Sequence, residues 1–277
     1  MVTPLLLAVP PKAYGGTERV VAALANGLTW AGLDVSVFAT ADSRIDAHLI
    51  ACRDRPIMTD PRPSSEIADQ LTMLRYVRQR ADEFDIIHFH TDLLQFPLFE
   101  DMASRTLTTF HNRLDLVGLR EFFEPYRHFP VVSASDSQRR PLPNLNWQAT
   151  IPHGYPLDQY RMIPRKDLGS GYLAFLGRID ADKGVRQAIS IAKRTGRRLK
   201  IAARINDPEQ RYWREEIQPL VDGHRIEYVG EIGEEQKSEF LSMADALLFP
   251  IAWPEPFGLT MIEAMACATP VLAFGCG

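Results

Sequence analysis

Few features of this sequence assign it at a glance, and each absence removes a class. Only three cysteines (Cys52, Cys267 and Cys276) occur in 277 residues. They are too few for a disulfide framework, so reduced thiols and a cytoplasmic location are expected. No apolar run reaches the length needed to span a bilayer. The start "MVTPLLLAVPPKAYGG" lacks the charged region, long apolar stretch and cleavage site of a secretory signal. Net charge is only −4, which gives no general pull toward nucleic acid. Peripheral contact with a membrane stays open, and no signal of oligomeric state is visible. "HFH" at 88–90 and the Cys267–Cys276 pair lack metal-ligand spacing, so no metal or cofactor is expected. Short repeats and low-complexity segments are missing too. What the chain does have is 45% hydrophobic residues, enough for two domains with separate cores.

Those residues fall into β-rich runs alternating with helical spacing. The first half offers strands "DVSVFA" (34–39), "DIIHFH" (85–90), "TLTTF" (106–110), "FPVVSAS" (129–135) and "WQATIP" (147–152). Val20, Val21, Leu24 and Leu28 share a helical face, as do Ile67, Leu71, Leu74 and Val77 behind a capping Ser65. Residues 156–170 are polar with Pro and Gly and read as a linker. A second series follows from "GYLAFLG" to "PVLAFG", including a helix expected over "PEQRYWREEIQPLVDG". The pattern predicts an α/β protein of two Rossmann-like, doubly wound parallel-sheet domains, 1–155 and 171–277, facing a cleft. The first strand, expected at "TPLLL", has only Met1 and Val2 before it, and the last stops at "FGCG". Truncation at both ends, and an incomplete second domain, are therefore expected, with Val271, Leu272 and Phe274 partly open to water.

Ligands of such sheets bind beyond the carboxyl ends of the strands. Four places there carry chemistry. "YGGTE" (14–18) sets Gly15 and Gly16 before a helix, where free N–H groups and the dipole suit an anion, with Thr17 as a cap. "GRIDADKG" (177–184) puts Arg178 and Lys183 on a short turn where two cations can grip a diphosphate, Asp182 reading as a helix cap. "WPEPFGLTMIEA" cannot be helical before its second proline, so a helix starts near Phe257-Gly258-Leu259 with its N–H groups free. Glu255 stands before that end and Glu263 about five residues in, roughly 7 Å along the axis. Two carboxylates there suit sugar or ribose hydroxyls. Finally, His88 and His90 end a strand on one face, and His111 and His153 end two others. A lone His is more often structural, but His111 lies where such a cleft is lined.

Taken together, "EPFGLTMIEAMACATPVLAF" resembles the E-x7-E segment of retaining GT-B glycosyltransferases of family 4, the group 1 transferases. "FLGRIDADKG" is similar to that family's phosphate turn, "YGGTE" to its glycine-rich loop, and "TTFHN" to the place of its sugar-contacting histidine. The likeness covers residues 3 to 277. It implies transfer from a nucleotide-diphosphate sugar to an acceptor with retained anomeric configuration and no metal. Arg178 and Lys183 would bind the diphosphate, Glu263 the ribose and Glu255 the transferred sugar. Amides of Phe257, Gly258 and Leu259 would support phosphate and sugar, and His111 would contact the sugar near the reacting carbon. Gly15 and Gly16 would line the donor–acceptor junction, with the first domain on the acceptor side.

Rivals are weaker. A glycoside hydrolase needs carboxylates on opposite sides of the scissile bond and has no use for diphosphate-binding cations. A sugar-nucleotide epimerase shares the fold, but "EPFGL" speaks against it. A non-catalytic or truncated nucleotide-sugar binding module would bind without turnover.

Overall fold

A computed structural model describes residues 1–154, 156–164 and 171–277. The chain divides into unit 1, Met1–Pro11 with Gly15–Tyr155, and unit 2, Lys12–Tyr14 with Pro156–Gly277.

Unit 1 is built on β1 (Ser36–Thr40), β2 (His48–Arg53), β3 (Ile87–Phe89), β4 (Thr106–Thr109), β5 (Pro130–Ser133) and β6 (Asn146–Thr150), all parallel. β1 pairs with β2, and β3 to β6 run side by side in order. Val2 joins the two groups by bridges to Phe38 and Phe89. Its N–H donates to the His88 carbonyl at 2.8 Å, and its own carbonyl accepts the His90 N–H at 2.9 Å. The first strand contacts are thus made at Val2, ahead of "PLLL"; Leu5 and Leu7 are buried from the loop that follows. β2 is an addition to the expected strands.

Helices α1 (Gly16–Trp30), α2 (Glu66–Gln79), α3 (Leu119–Phe123) and α4 (Asp136–Arg139) complete unit 1. Ser65 caps α2 as expected, its hydroxyl accepting the Ala68 N–H at 3.4 Å. The buried face of α2 differs from the expected one: Gln70, Met73, Leu74 and Val77 turn inward, while Ile67 and Leu71 are exposed. Phe89, Phe96, Phe99, Phe110, Phe123 and Phe129 dominate the core, with edge-on ring contacts around Phe96. Each such side chain is worth about 1.5–3 kcal/mol of burial.

In unit 2 the strands β7 (Tyr172–Arg178), β8 (Leu199–Arg204), β9 (Ile226–Gly230), β10 (Ala244–Phe249) and β11 (Val271–Ala273) lie parallel in the order β11-β10-β7-β8-β9. The order reverses between β7 and β10, the place where doubly wound sheets bind ligands. Helices α5 (Val185–Thr195), α6 (Gln210–Tyr212), α7 (Glu234–Ser242) and α8 (Leu259–Ala266) accompany them. The helix expected over 208–223 is broken. α6 lies between a 3-10 turn at Asp207–Glu209 and a π turn at Trp213–Ile217, and a second 3-10 turn holds Pro219. A proline there removes a helix donor and clashes with the preceding turn.

The stretch expected as a linker is anchored in its described part. Arg161 and Ile163 donate their N–H groups to Ser238 and Ser242 at 3.1 and 3.0 Å; residues 165–170 lie outside the described ones. Beyond β10, Leu272 and Phe274 are half exposed. All three cysteines are free thiols. Among the described residues, no helix is long and apolar enough to cross a membrane.

Candidate functional site

The carboxyl ends of β7 and β10 bring two sequence motifs against each other. β7 ends at Arg178, and the turn after it closes on Gly184, the residue before α5. Gly184 has φ +77°, and a side chain there would meet the Pro250 carbonyl oxygen at 1.9 Å. Only glycine fits, because the loop after β10 lies directly on this turn. The Ala252 N–H ties the two together by donating to the Asp182 carbonyl at 2.8 Å. Asp182 is not the cap expected of it; Gly184 holds that position without a side-chain cap. Asp180 braces the turn instead, accepting the Asp182 N–H at 2.9 Å and an Arg178 N–H at 2.7 Å.

Both cations arrive already paired. Arg178 holds Asp180, with Glu209 3.7 Å from its Nε. Burial works against the Arg178 charge, but Tyr14, Asp180 and Glu209 outweigh it and raise its pKa. Lys183 Nζ lies 2.6 Å from Glu255 Oε2 and 4.6 Å from the centre of the Trp253 ring. The family resemblance assigns these two to different parts of a donor, Lys183 to phosphate and Glu255 to sugar; in the structure they hold each other. Two cations therefore face three carboxylates, so the positive charge inferred from "GR…KG" is largely balanced from within.

Past Glu255, Gly258 stands before α8 with φ +84°, where a side chain would run into Met261 Cε at 2.6 Å. Helix then begins at Leu259, as the prolines require, with Phe257 and Leu259 half-buried. Glu263 is 2% exposed. Its Oε1 accepts from Lys237 at 2.9 Å and from the Tyr160 hydroxyl at 3.0 Å. Among the described residues, its Oε2 is buried with no hydrogen-bond partner, as are Arg178 Nε, Asn206 Oδ1 and Glu209 Oε2. Unsatisfied buried polar atoms are rare in folded proteins, and these four stand on or beside the carboxyl-end loops of one sheet. Lys237 and Tyr160 carry no signal in the sequence: one is a charge on a polar helix, the other lies in a stretch read as a linker.

In unit 1, Gly15 adopts φ +141°, and a side chain on it would meet Pro11 Cγ at 2.7 Å and Leu7 Cδ1 at 2.8 Å. It precedes α1, which Gly16 opens, so Thr17 sits inside the first turn and is not the cap. Glu18, one residue on, is a further buried carboxylate of this turn. Burial pushes its carboxyl up to about 7 against its own N–H and Arg19. Its signal was a carboxylate directly ahead of buried valines.

The histidines form a row. His88 Nε2 lies 2.8 Å from the Thr109 hydroxyl, and His90 Nδ1 lies 2.8 Å from His111 Nε2. Ring centres are 4.2 Å apart for His88 and His90, and 5.0 Å for His111 and His153. Burial pushes His88 and His153 down to about 4 and holds His90 and His111 well below the usual imidazole range. Burial thus favours the neutral form of all four. Among the described residues, no three His, Cys, Asp or Glu side chains are arranged to hold a metal ion.

Comparison with known families decides the class. The family model "Glycosyltransferase Family 4" matches residues 14–148, and "Glycosyl transferases group 1" matches 158–277. The chain is a group 1, family 4 glycosyltransferase. The phosphatidyl-myo-inositol mannosyltransferase of Mycolicibacterium smegmatis is 26% identical to it, over 99% of this chain and 75% of that protein. Among solved structures, AviGT4, a glycosyltransferase of avilamycin A biosynthesis, matches with TM-score 0.67 and 25% identity, over 100% of this chain and 79% of that one. Anabaena HepE, solved with UDP and glucose, matches at TM-score 0.72 and 19% identity, over 100% of this chain and 81% of that one. The glycosyltransferase has the α/β architecture of the GT-B class, parallel sheets in both units. Gly15, Gly16 and His111 fall in the part matched by the first family model; Arg178, Lys183, Glu255, Phe257, Gly258, Leu259 and Glu263 fall in the second.

Proposed function

We propose that this glycosyltransferase takes a hexose from a nucleoside-diphosphate sugar and passes it to an acceptor, with anomeric configuration retained and without a metal ion. Unit 2 holds the donor and unit 1 serves the acceptor side, in the cytoplasm. The observation that carries this is Glu263, buried on α8 with one oxygen held by Lys237 and Tyr160 and the other without a hydrogen-bond partner among the described residues. A carboxylate fixed this way accepts two neighbouring hydroxyls of a ribose well. The complex of HepE with UDP and glucose supports the donor class.

In this reading the diphosphate enters beside Lys183 and takes the ammonium from Glu255. Glu255, released, accepts a hydroxyl of the sugar. One exchange thus prepares both halves of the donor. Arg178 keeps Asp180 and adds a second cation, and the N–H groups of Phe257, Gly258 and Leu259 supply donors without charge. As the bond from the sugar to the diphosphate breaks, negative charge grows on the leaving oxygen. Arg178 and Lys183 stabilise that charge more than they stabilise the intact donor, which lowers the barrier. His111 contacts the sugar near the reacting carbon, and Gly15 and Gly16 line the donor–acceptor junction.

Calorimetry with UDP, GDP and ADP tests the donor site. One of them should bind, and its 2′,3′-dideoxy form should bind more than about tenfold more weakly, since each lost hydrogen bond to a charged group costs about 1.5–3 kcal/mol. That difference should vanish in Glu263→Ala. Equal binding of both forms to the unaltered chain would remove Glu263 from the ribose.

A further inference from the structure

The histidine row contains a pair whose geometry couples the tautomers of its two rings. His90 follows β3 and His111 follows β4, neighbouring parallel strands. Their Nδ1 and Nε2 atoms are 2.8 Å apart, with ring planes 35° from each other. One hydrogen lies between two nitrogens at that distance. Among the described residues, the other ring nitrogens, His90 Nε2 and His111 Nδ1, are buried without a hydrogen-bond partner. His88 packs against His90 at one end of the pair and His153 stacks on His111 at the other.

Neutral imidazoles carry one proton each, which leaves two arrangements. In the first, His90 Nδ1–H donates to His111 Nε2, His111 Nδ1 holds the other proton, and His90 Nε2 is a bare acceptor. In the second, every role is reversed. His90 is 2% exposed, whereas His111 is only partly buried. Whatever remains unpaired at His90 Nε2 stays unpaired when a ligand arrives. Buried N–H groups without partners are rarer than buried acceptors without them. The first arrangement leaves an acceptor at the sealed end and a donor on the ring nearer the surface.

We propose that His90 is a positioning residue: it donates Nδ1–H to His111 and thereby fixes His111 as the Nδ1–H tautomer, a hydrogen-bond donor toward an oxygen of the bound sugar. The second half rests on the reading of His111 as the sugar contact. A donor there is compatible with transfer that needs no base from this ring, and the reverse tautomer would offer a lone pair instead.

Nitrogen NMR of the full chain labelled with 15N-histidine reads the tautomer directly, with His111 assigned by its loss in His111→Gln. Expected is a pyrrole-type Nδ1 and a pyridine-type Nε2 for His111. His90→Asn sets an amide nitrogen near the place of Nδ1 and should keep this pattern; His90→Leu should lose it. Turnover of a panel of UDP-, GDP- and ADP-hexoses gives the second readout. With His90→Leu, kcat should fall about tenfold, the size of one hydrogen bond, with KM nearly unchanged, and His90→Asn should restore most of it. A protonated Nε2 on wild-type His111 would overturn the proposal, and so would an unchanged His111 pattern in His90→Leu. If the tautomer follows His90 but kcat does not, the coupling holds and His111 is not the sugar contact.

Discussion

Glu255→Gln should make this protein bind a bare nucleoside diphosphate more tightly while making it a worse enzyme. Glu255 holds the Lys183 ammonium at 2.6 Å, and both side chains are at least four-fifths buried. At an effective dielectric of about 20, unit charges 4 Å apart attract by roughly 4 kcal/mol, most of which is offset by their desolvation. The net worth of a hydrogen bond to a charged group is about 1.5–3 kcal/mol, and Lys183 gives up this bond before it reaches a diphosphate. Glutamine keeps the shape and one weak acceptor, so about 1 kcal/mol of that penalty should disappear. That is roughly a fivefold drop in Kd. Lys183→Ala should act the other way, weakening the diphosphate by about 1.5–3 kcal/mol while leaving the nucleoside nearly untouched. In the double variant the gain from Glu255→Gln should vanish, because no ammonium is left to release. Titration calorimetry with UDP, GDP and ADP at low salt, beside the matching nucleosides, measures all four corners. Tighter binding in Glu255→Gln that persists without Lys183, or weaker binding in both single variants, would refute the exchange.

Three further outcomes follow from single residues. Ala268, just past α8, is held at φ +58°, a region that costs an L-residue about 1 kcal/mol. Ala268→Gly should therefore raise stability in urea by about that much, and a lower midpoint would place the strain elsewhere. Glu18 has its folded pKa raised from 4.5 to about 7, so its contribution is full below 4.5 and lost as pH rises through 7. Glu18→Gln should then gain up to about 3 kcal/mol on the wild type between pH 4.5 and 8; a difference independent of pH would be wrong for this cause. His88 and His153 are lowered from 6.5 to about 4, so the unfolded chain binds more protons between these values. Stability should fall as pH drops from 6.5 to 4, and His88→Gln should flatten that slope; an unaltered slope would clear His88 of it.

How much of this was legible in the sequence depended on whether local chemistry or long-range packing decided each feature. The start of α8 was legible because Pro254 and Pro256 forbid helix before them and Gly258 permits the turn. The burial of Glu263 was legible because Ile262 and Ala264 flank it. The turn after β7 was legible in its cations but not in their partners. Glu255 reaches Lys183 across 72 residues of chain, and no spacing rule reports such a pair. β2 was missed because "HLIACR" ends in charge and lies among polar residues, so it resembles a loop. The face of α2 was misjudged because Ile67 and Leu71 match helical spacing as well as Met73 and Leu74 do. Only packing against Val77 and the sheet selects between them. The histidines were visible singly, but their row exists because β3 and β4 are neighbours, a fact of sheet order.

Unit 2 should support sugar transfer from a nucleoside diphosphate by its own cations. The direct measurement is turnover of a panel of UDP-, GDP- and ADP-hexoses with excess EDTA, with the anomeric configuration of the released or transferred sugar read by proton NMR. One nucleotide family should be consumed, EDTA should leave the rate unchanged, and the product should keep the donor's configuration. Lys183→Ala should abolish most of the rate. Activity that disappears in EDTA and returns with magnesium would contradict this, and so would an inverted product.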